Sequence, residues 1–132
     1  MTSELPNRIL TPMRRVRGFG AARSGTGHFW HQRVTSVALL SLTTIFIVIV
    51  VSLLGRTHAA VVQVLGSPFV AIMMMLFVGT SIYHMWLGMQ EIIIDYVHED
   101  IRKISMLMVN TFFCFVVGVG CVFAILKLSF GV

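Results

Sequence analysis

Four residues with catalytic or ligand-binding side chains, or with space for a ligand, follow one another at helical spacing: His84, Gly88, Glu91 and Asp95. At about 100° per residue, these positions lie within a narrow stripe on one helix face. The stripe occupies the second half of a long apolar segment, and ionisable groups are costly in hydrocarbon. We therefore expect this face to point towards a protein interior or a cofactor rather than towards lipid.

His84 is the residue of this stripe best suited to bind a metal-containing group. A neutral imidazole inside a membrane protein is a natural axial ligand to haem iron. Thr80 and Gly88, one turn to either side, are small and leave room for a porphyrin face against the helix. The alternative is a histidine that is only hydrogen-bonded within a helix bundle. Because the segment is intramembrane, the ligand interpretation is favoured.

The other histidines do not lie at the depth of His84. His28 and His31 precede the inner end of the first apolar helix, His98 lies beyond the inner end of the second, and His58 is in the outer loop. A six-coordinate haem would therefore take its second ligand from another polypeptide, or from His84 of a second copy. This arrangement predicts that the chain works as part of a complex.

Asp95 and Tyr96 end the second apolar segment with a carboxylate and a phenol. A carboxylate at a helix C-terminus opposes the macrodipole, so it calls for a basic partner or a proton-transfer role. The alternative is an interfacial tyrosine beside a solvated aspartate, which for Tyr96 alone is the more common situation. Together with a basic residue, the pair could hydrogen-bond a quinone carbonyl and deliver protons on its reduction.

Composition places the 132-residue chain among integral membrane proteins. Hydrophobic residues make up 57% and charged residues 11%, and the mean hydropathy is +0.91, well outside the range of soluble domains. The net charge of +5 does not indicate nucleic acid, because five of the ten basic residues lie between residues 14 and 33, just before the first apolar run, and no basic face interleaved with aromatic residues accompanies them. These five residues are Arg14, Arg15, Arg17, Arg23 and Arg33.

The predicted fold class is an all-α membrane protein with three transmembrane helices. Residues 34–54 are uncharged and long enough, at about 31 Å, to cross the hydrocarbon core. Prolines and glycine clusters before them predict coil, a short helical turn is expected at residues 59–65, and Pro68 suits a helix start. The predicted segments are an arm (1–33), helices at 34–54, 68–94 and 104–126, an outer loop (55–67), an inner loop (95–103) and a tail (127–132).

The distribution of lysine and arginine predicts an N-terminus inside, on the cytoplasmic or matrix side. Six basic side chains in the arm and two in the second loop oppose Arg56 and Lys127. Asp95 then marks the inner end of the second helix. His84 lies 11 residues deeper, roughly 16 Å from that end.

The motif His84-x3-Gly88-x6-Asp95-Tyr96-Val97, with RGFGAARSGTGHFWHQRVT at residues 17–35, resembles one family over nearly the whole chain. That family is the smaller hydrophobic membrane anchor of bacterial succinate dehydrogenase (respiratory complex II). The resemblance implies that His84 is an axial ligand of haem b and that Asp95 and Tyr96 lie at the ubiquinone site. It also implies that Arg33 lies near the haem propionates and the quinone.

The resemblance further implies a hetero-oligomeric helix bundle in the respiratory chain and tricarboxylic acid cycle. Its partners would be a flavoprotein subunit, an iron–sulfur subunit and a second three-helix anchor, in a bacterial inner membrane rather than a mitochondrial one. This chain holds no flavin motif or cysteine cluster, so no succinate site is expected in it, and Cys114 and Cys121 are interpreted as packing residues. A fumarate reductase anchor, a homodimeric or other di-haem-type membrane cytochrome and a purely structural anchor stay open as alternatives.

Overall fold

The computed structural model describes residues 25–131, and this range forms four α-helices. They are α1 (Gly25–Leu53), α2 (His58–Leu65), α3 (Pro68–Tyr96) and α4 (Asp100–Phe130). Most of the arm predicted at residues 1–33, with its cluster of arginines, lies outside the described residues. The structure assigns no strand within 25–131, in agreement with the predicted fold class.

Three of the helices are long and apolar enough to cross a membrane. α1 and α3 each contain 29 residues and α4 contains 31. At 1.5 Å per residue these helices are about 43 to 47 Å long, which exceeds the roughly 30 Å of a bilayer core. The predicted all-α architecture with three candidate transmembrane helices is confirmed, and each helix extends past the hydrocarbon at one end or both.

α1 begins earlier than predicted, because residues 25–33 are helical rather than coil. Gly25 and Gly27 are weak helix formers, so local propensity does not account for this part of α1. Side chains of the next turns contact α3, and such tertiary packing outweighs weak intrinsic helix propensity. The expectation of coil up to Arg33 was therefore wrong for the part of the arm that the structure describes.

The other predicted boundaries agree with the helices to within a few residues. The helical turn expected at 59–65 is α2, and Pro68 is the first residue of α3, directly after Ser67 at the N-cap. α4 starts at Asp100 and ends at Phe130, four residues beyond the predicted span on each side. Gly131 follows with a left-handed φ of 68° and donates its N–H to the Lys127 carbonyl, which is the usual way a glycine ends a helix.

The three long helices form a row with α3 in the middle. On one side of α3, Phe77 stacks on Phe46 of α1 with ring centroids 4.7 Å apart. On the opposite side, Trp86 donates its indole N–H to Thr111 of α4 over 3.2 Å. Phe77 and Trp86 lie nine residues apart, which at about 100° per residue places them on opposite faces. α3 therefore separates α1 from α4.

Polar and small residues hold α3 against α4. Asn110, which is buried, donates its side-chain N–H to the Trp86 carbonyl over 3.2 Å. Cys114 is also buried, one turn along α4, and a Cβ at Gly118 would lie 3.4 Å from the side chain of Ile82. Small residues on one face of α4 thus permit close helix approach, and Cys114 packs as predicted.

Most large apolar side chains of the row remain exposed on its outside, and only a few positions are buried. A single layer of helices cannot enclose a core of its own, so lipid or further helices must cover these side chains. This is the surface of an all-α multi-pass membrane protein.

Candidate functional site

His84 contacts α1 through a side-chain hydrogen bond between the two helices. Its Nδ1 lies 2.8 Å from the hydroxyl oxygen of Thr35, and Thr35 is only 9% exposed. The same hydroxyl lies 2.8 Å from the His31 carbonyl and 3.0 Å from the Gln32 carbonyl, one turn back on α1. Within residues 25–131 the structure records no hydrogen bond to Nε2 of His84, so that nitrogen stays available to a ligand.

Gly88 lies under the side chain of Gln32, one turn along α3 from His84. A Cβ at Gly88 would be 3.5 Å from Gln32 Nε2. The small size of residue 88 thus accommodates α1, whereas the sequence suggested space for a porphyrin. Gln32 Oε1 is buried and has no hydrogen-bond partner among the described residues. Burying an amide oxygen unpaired is costly, so it marks a place where a donor from outside these residues would fit.

Aromatic rings extend from this contact towards α4. Tyr83 meets the ring of His31 edge to face with centroids 6.0 Å apart, and it stacks on Trp86 at 5.9 Å. The three rings, on α1 and α3, stabilise the region around His84 by packing.

Arg33 is exposed and its guanidinium lies 4.5 Å from the centroid of the Phe29 ring. Within the described part of the chain, the structure records no hydrogen bond or ion pair between Arg33 and His84, Asp95 or Tyr96. Since Arg33 precedes Thr35 by only two residues, it is nearly level with His84 along the row, about 3 Å away in axial rise. The backbone of Arg33 therefore lies near the level of His84, and the position of its side chain beside haem propionates and a quinone stays a prediction.

Asp95 and Tyr96 end α3 as exposed side chains, Tyr96 at 79%. The structure records no hydrogen bond or ion pair for either side chain within residues 25–131. The Tyr96 backbone carbonyl lies 3.2 Å from Nδ1 of the His98 ring. The predicted stripe thus divides in two, because α1 covers His84 while Asp95, about 16 Å along the helix, is uncovered.

The register between α1 and α3 changes the predicted depth of His84. The value of about 16 Å counts from Asp95 at the end of α3. Thr35, the partner of His84, is only the second residue of the uncharged run 34–54 in α1. Measured against α1, His84 therefore lies where the apolar run begins, and the last dozen residues of α3 continue beside the polar start of α1.

Sequence reasoning missed three polar residues that the structure places at helix contacts: Thr35, Gln32 and Asn110. Asn110 carries a signal of its own, since an amide inside an apolar span is expensive unless it is bonded. Thr35 and Gln32 carry none, because only the helix register identifies their neighbours. Among the described residues no group of three or more His, Cys, Asp or Glu side chains could hold a bare metal ion. A haem needs only one coordinating nitrogen from a given chain, and His84 could supply it.

Three long apolar helices, with a half-buried histidine between two of them and a carboxylate and a phenol exposed at one helix end, are those of a multi-pass membrane protein. A family model described as succinate dehydrogenase/fumarate reductase transmembrane subunit matches residues 7–119. The chain belongs to this family of membrane anchor subunits.

Individual relatives agree with the family model. The chain is 31% identical to the succinate dehydrogenase hydrophobic membrane anchor subunit of Paracoccus denitrificans, over 94% of this chain and 95% of the relative. It is 26% identical to the subunit of the same name from Rickettsia conorii, over 84% and 89%. No solved structure matches the chain significantly. As an anchor subunit of an oxidoreductase complex, the chain works with catalytic partner subunits.

Proposed function

We propose that this chain is the membrane anchor of a succinate:quinone oxidoreductase, in which it binds haem b and helps to form the ubiquinone-reduction site. The observation that carries the proposal is the imidazole of His84, bonded through Nδ1 to Thr35 and unbonded at Nε2 within the described residues. A histidine held at one nitrogen by a neighbouring helix is typical of an axial ligand. When bound, haem b supplies a one-electron carrier within the membrane.

The chain's own residues have distinct parts in this proposal. His84 would hold the haem iron through Nε2, together with a histidine of a second three-helix anchor. Arg33, nearly level with His84 and exposed, neutralises a haem propionate on turning away from Phe29. The unpaired oxygen of Gln32 supports a polar group supplied at this level from outside the chain.

Asp95 and Tyr96 are proposed to serve the quinone. Both are exposed at the end of α3 and neither side chain is engaged by another described residue. The Tyr96 hydroxyl donates a hydrogen bond to a quinone carbonyl, and the Asp95 carboxylate returns protons from water as the quinone is reduced. The exposure of both residues also suits a surface against which a water-soluble subunit docks.

Membership in the family supports the proposed partners and location. A flavoprotein subunit oxidises succinate and an iron–sulfur subunit passes the electrons to the membrane, so this chain needs no succinate site. The N-terminus faces the cytoplasm of a bacterial inner membrane, as the arginine-rich arm predicts. The family description covers fumarate reductase as well, and an anchor of that enzyme would use the same residues in the reverse direction.

The decisive experiment is an optical spectrum of the co-purified complex carrying His84→Ala. We expect haem b absorbance to be lost, because no other described histidine is bonded between helices. His58→Ala, at an exposed loop-proximal position, is the matched control and should leave the spectrum intact. An unchanged haem b spectrum with His84→Ala would reject the ligand role and leave only a hydrophobic anchor.

A further inference from the structure

We infer that Thr35 is a positioning residue for His84, fixing the imidazole as the tautomer that carries its proton on Nδ1 and leaves Nε2 free for haem iron. This inference rests on the proposed function, since it assigns a role to a neighbour of the proposed ligand. It concerns a residue that neither the sequence motif nor the family description singles out.

The Thr35 hydroxyl can donate only one hydrogen bond. A threonine hydroxyl has one proton to donate and two lone pairs with which to accept. The carbonyls of His31 and Gln32, at 2.8 and 3.0 Å, can only accept. Two oxygens this close need a proton between them, so the hydroxyl proton is best placed towards the backbone of α1, in the bond that threonine commonly makes one turn back along a helix.

The tautomer of the His84 ring depends on this hydroxyl. With its proton turned towards α1, the hydroxyl oxygen can only accept from His84 Nδ1, which lies 2.8 Å away. A neutral imidazole carries one N–H, so Nε2 keeps its lone pair. In the opposite tautomer the hydroxyl would have to turn its proton to Nδ1, which would leave both close carbonyl contacts without a proton, and Nε2 would carry the N–H and could not bind iron. Thr35 thus selects the tautomer that an axial ligand requires.

Thr35 differs from other serine and threonine residues of α1. Ser36, Ser41 and Thr44 also donate to a carbonyl one turn back, but they are exposed and bond to no other helix among the described residues. Thr35 is buried and bonds to α3. Its hydroxyl therefore does more than satisfy its own backbone.

The experiment compares Thr35→Val, which keeps the shape but removes the hydroxyl, with Thr35→Ser, which keeps the hydroxyl. In the purified complex, loss of the acceptor makes Nε2 a weaker donor to ferric iron. We expect the haem b midpoint potential to shift upward and haem affinity to fall about 10- to 100-fold, the range seen when partners of metal-bound histidines are removed. Thr35→Ser should restore both values, and Thr44→Val is the matched control without effect.

Two results would overturn the inference. One is a Thr35→Val complex whose potential and haem content equal those of Thr44→Val. The other is a shift in Thr35→Ser as large as in Thr35→Val, which would assign the effect to packing. If the Thr35→Val complex does not assemble, Thr35→Ala is compared with Thr35→Ser instead. Equal midpoint potentials and equal haem contents in these two variants overturn the inference. Failure of the ligand role itself is a separate result, namely haem retained by His84→Ala.

Discussion

His84 and Asp95 share one helix face but have different surroundings. The ring of His84 is partly covered by α1 and bonded to Thr35, whereas Asp95 is exposed at the end of the helix. About 16 Å of α3 separates them. A substitution at one of these positions has no short packing route to the other, so haem binding and quinone reduction should be separable by mutation.

Tyr96→Phe tests this separation by removing a single hydroxyl. We expect succinate-dependent ubiquinone reduction to fall about 100-fold, the scale of a lost general acid. The haem b spectrum should stay unchanged. Succinate oxidation by an artificial acceptor, which bypasses the quinone, should also stay normal. Asp95→Asn should act in the same direction, because it removes the carboxylate that takes up protons.

Tyr83→Phe is the matched control for Tyr96→Phe. Tyr83 keeps its ring contacts with His31 and Trp86 in that variant, so quinone reduction should continue at the unmodified rate. Equal quinone reduction by Tyr96→Phe and the unmodified complex would show that the phenol is not the proton donor.

For the helices, the sequence predicts that they exist and how many there are. It predicts less well the residue at which each helix starts and the register between neighbouring helices. The uncharged run 34–54 and Pro68 are local signals, and both correspond to real helix features. The helical conformation of residues 25–33 has no such local signal, because this segment packs on α3 through His31, Gln32 and Thr35. The pairing of Thr35 with His84 is likewise invisible in either segment alone, since many registers place some residue of α1 beside His84.

The contact between α2 and α4 gives a prediction at this scale. A Cβ at Gly66, just after α2, would lie 2.8 Å from the Leu128 carbonyl oxygen and 3.0 Å from the Val62 carbonyl oxygen. Backbone atoms cannot turn aside as a side chain does. Gly66→Ala should therefore lower the free energy of unfolding by about 1 to 3 kcal/mol, the usual cost of overpacking, measured as the unfolding midpoint of the purified complex.

Gly120→Ala is the control for Gly66→Ala, because nothing lies within 4 Å of a Cβ built at Gly120. Alanine in a helix interior is favourable relative to glycine, by about 1 kcal/mol. The midpoint should stay constant or rise in this variant. A Gly66→Ala complex as stable as Gly120→Ala would mean that α2 moves away from α4 at no cost.

Across the whole molecule, the distribution of basic residues predicts the orientation in the membrane. The loop between α1 and α2 carries one arginine, while the arm and the first turn of α4 carry most of the positive charge. Positive charge is retained on the cytoplasmic side during insertion. The turn that holds His98 and the loop that holds Thr57 should therefore face opposite compartments.

Thr57→Cys and His98→Cys test this orientation with a membrane-impermeant thiol reagent on intact cells. Thr57→Cys should react directly, and His98→Cys should react only after the membrane is permeabilised. The unmodified chain gives the background, because Cys114 is buried and Cys121 half-buried within an apolar helix. The reverse pattern of labelling would place the N-terminus outside.

The order of the three long helices in the row follows their order in the chain, since α3 packs on α1 through one side and on α4 through the other. During synthesis, α3 can meet α1 while α4 is still inside the ribosome, and contacts between neighbouring segments form quickly. The hydrogen bond between Thr35 and His84 can therefore form before the last helix enters the bilayer. On the proposed ligand role of His84, the imidazole would be oriented before the third span is in place, and cofactor insertion would not need to wait for it.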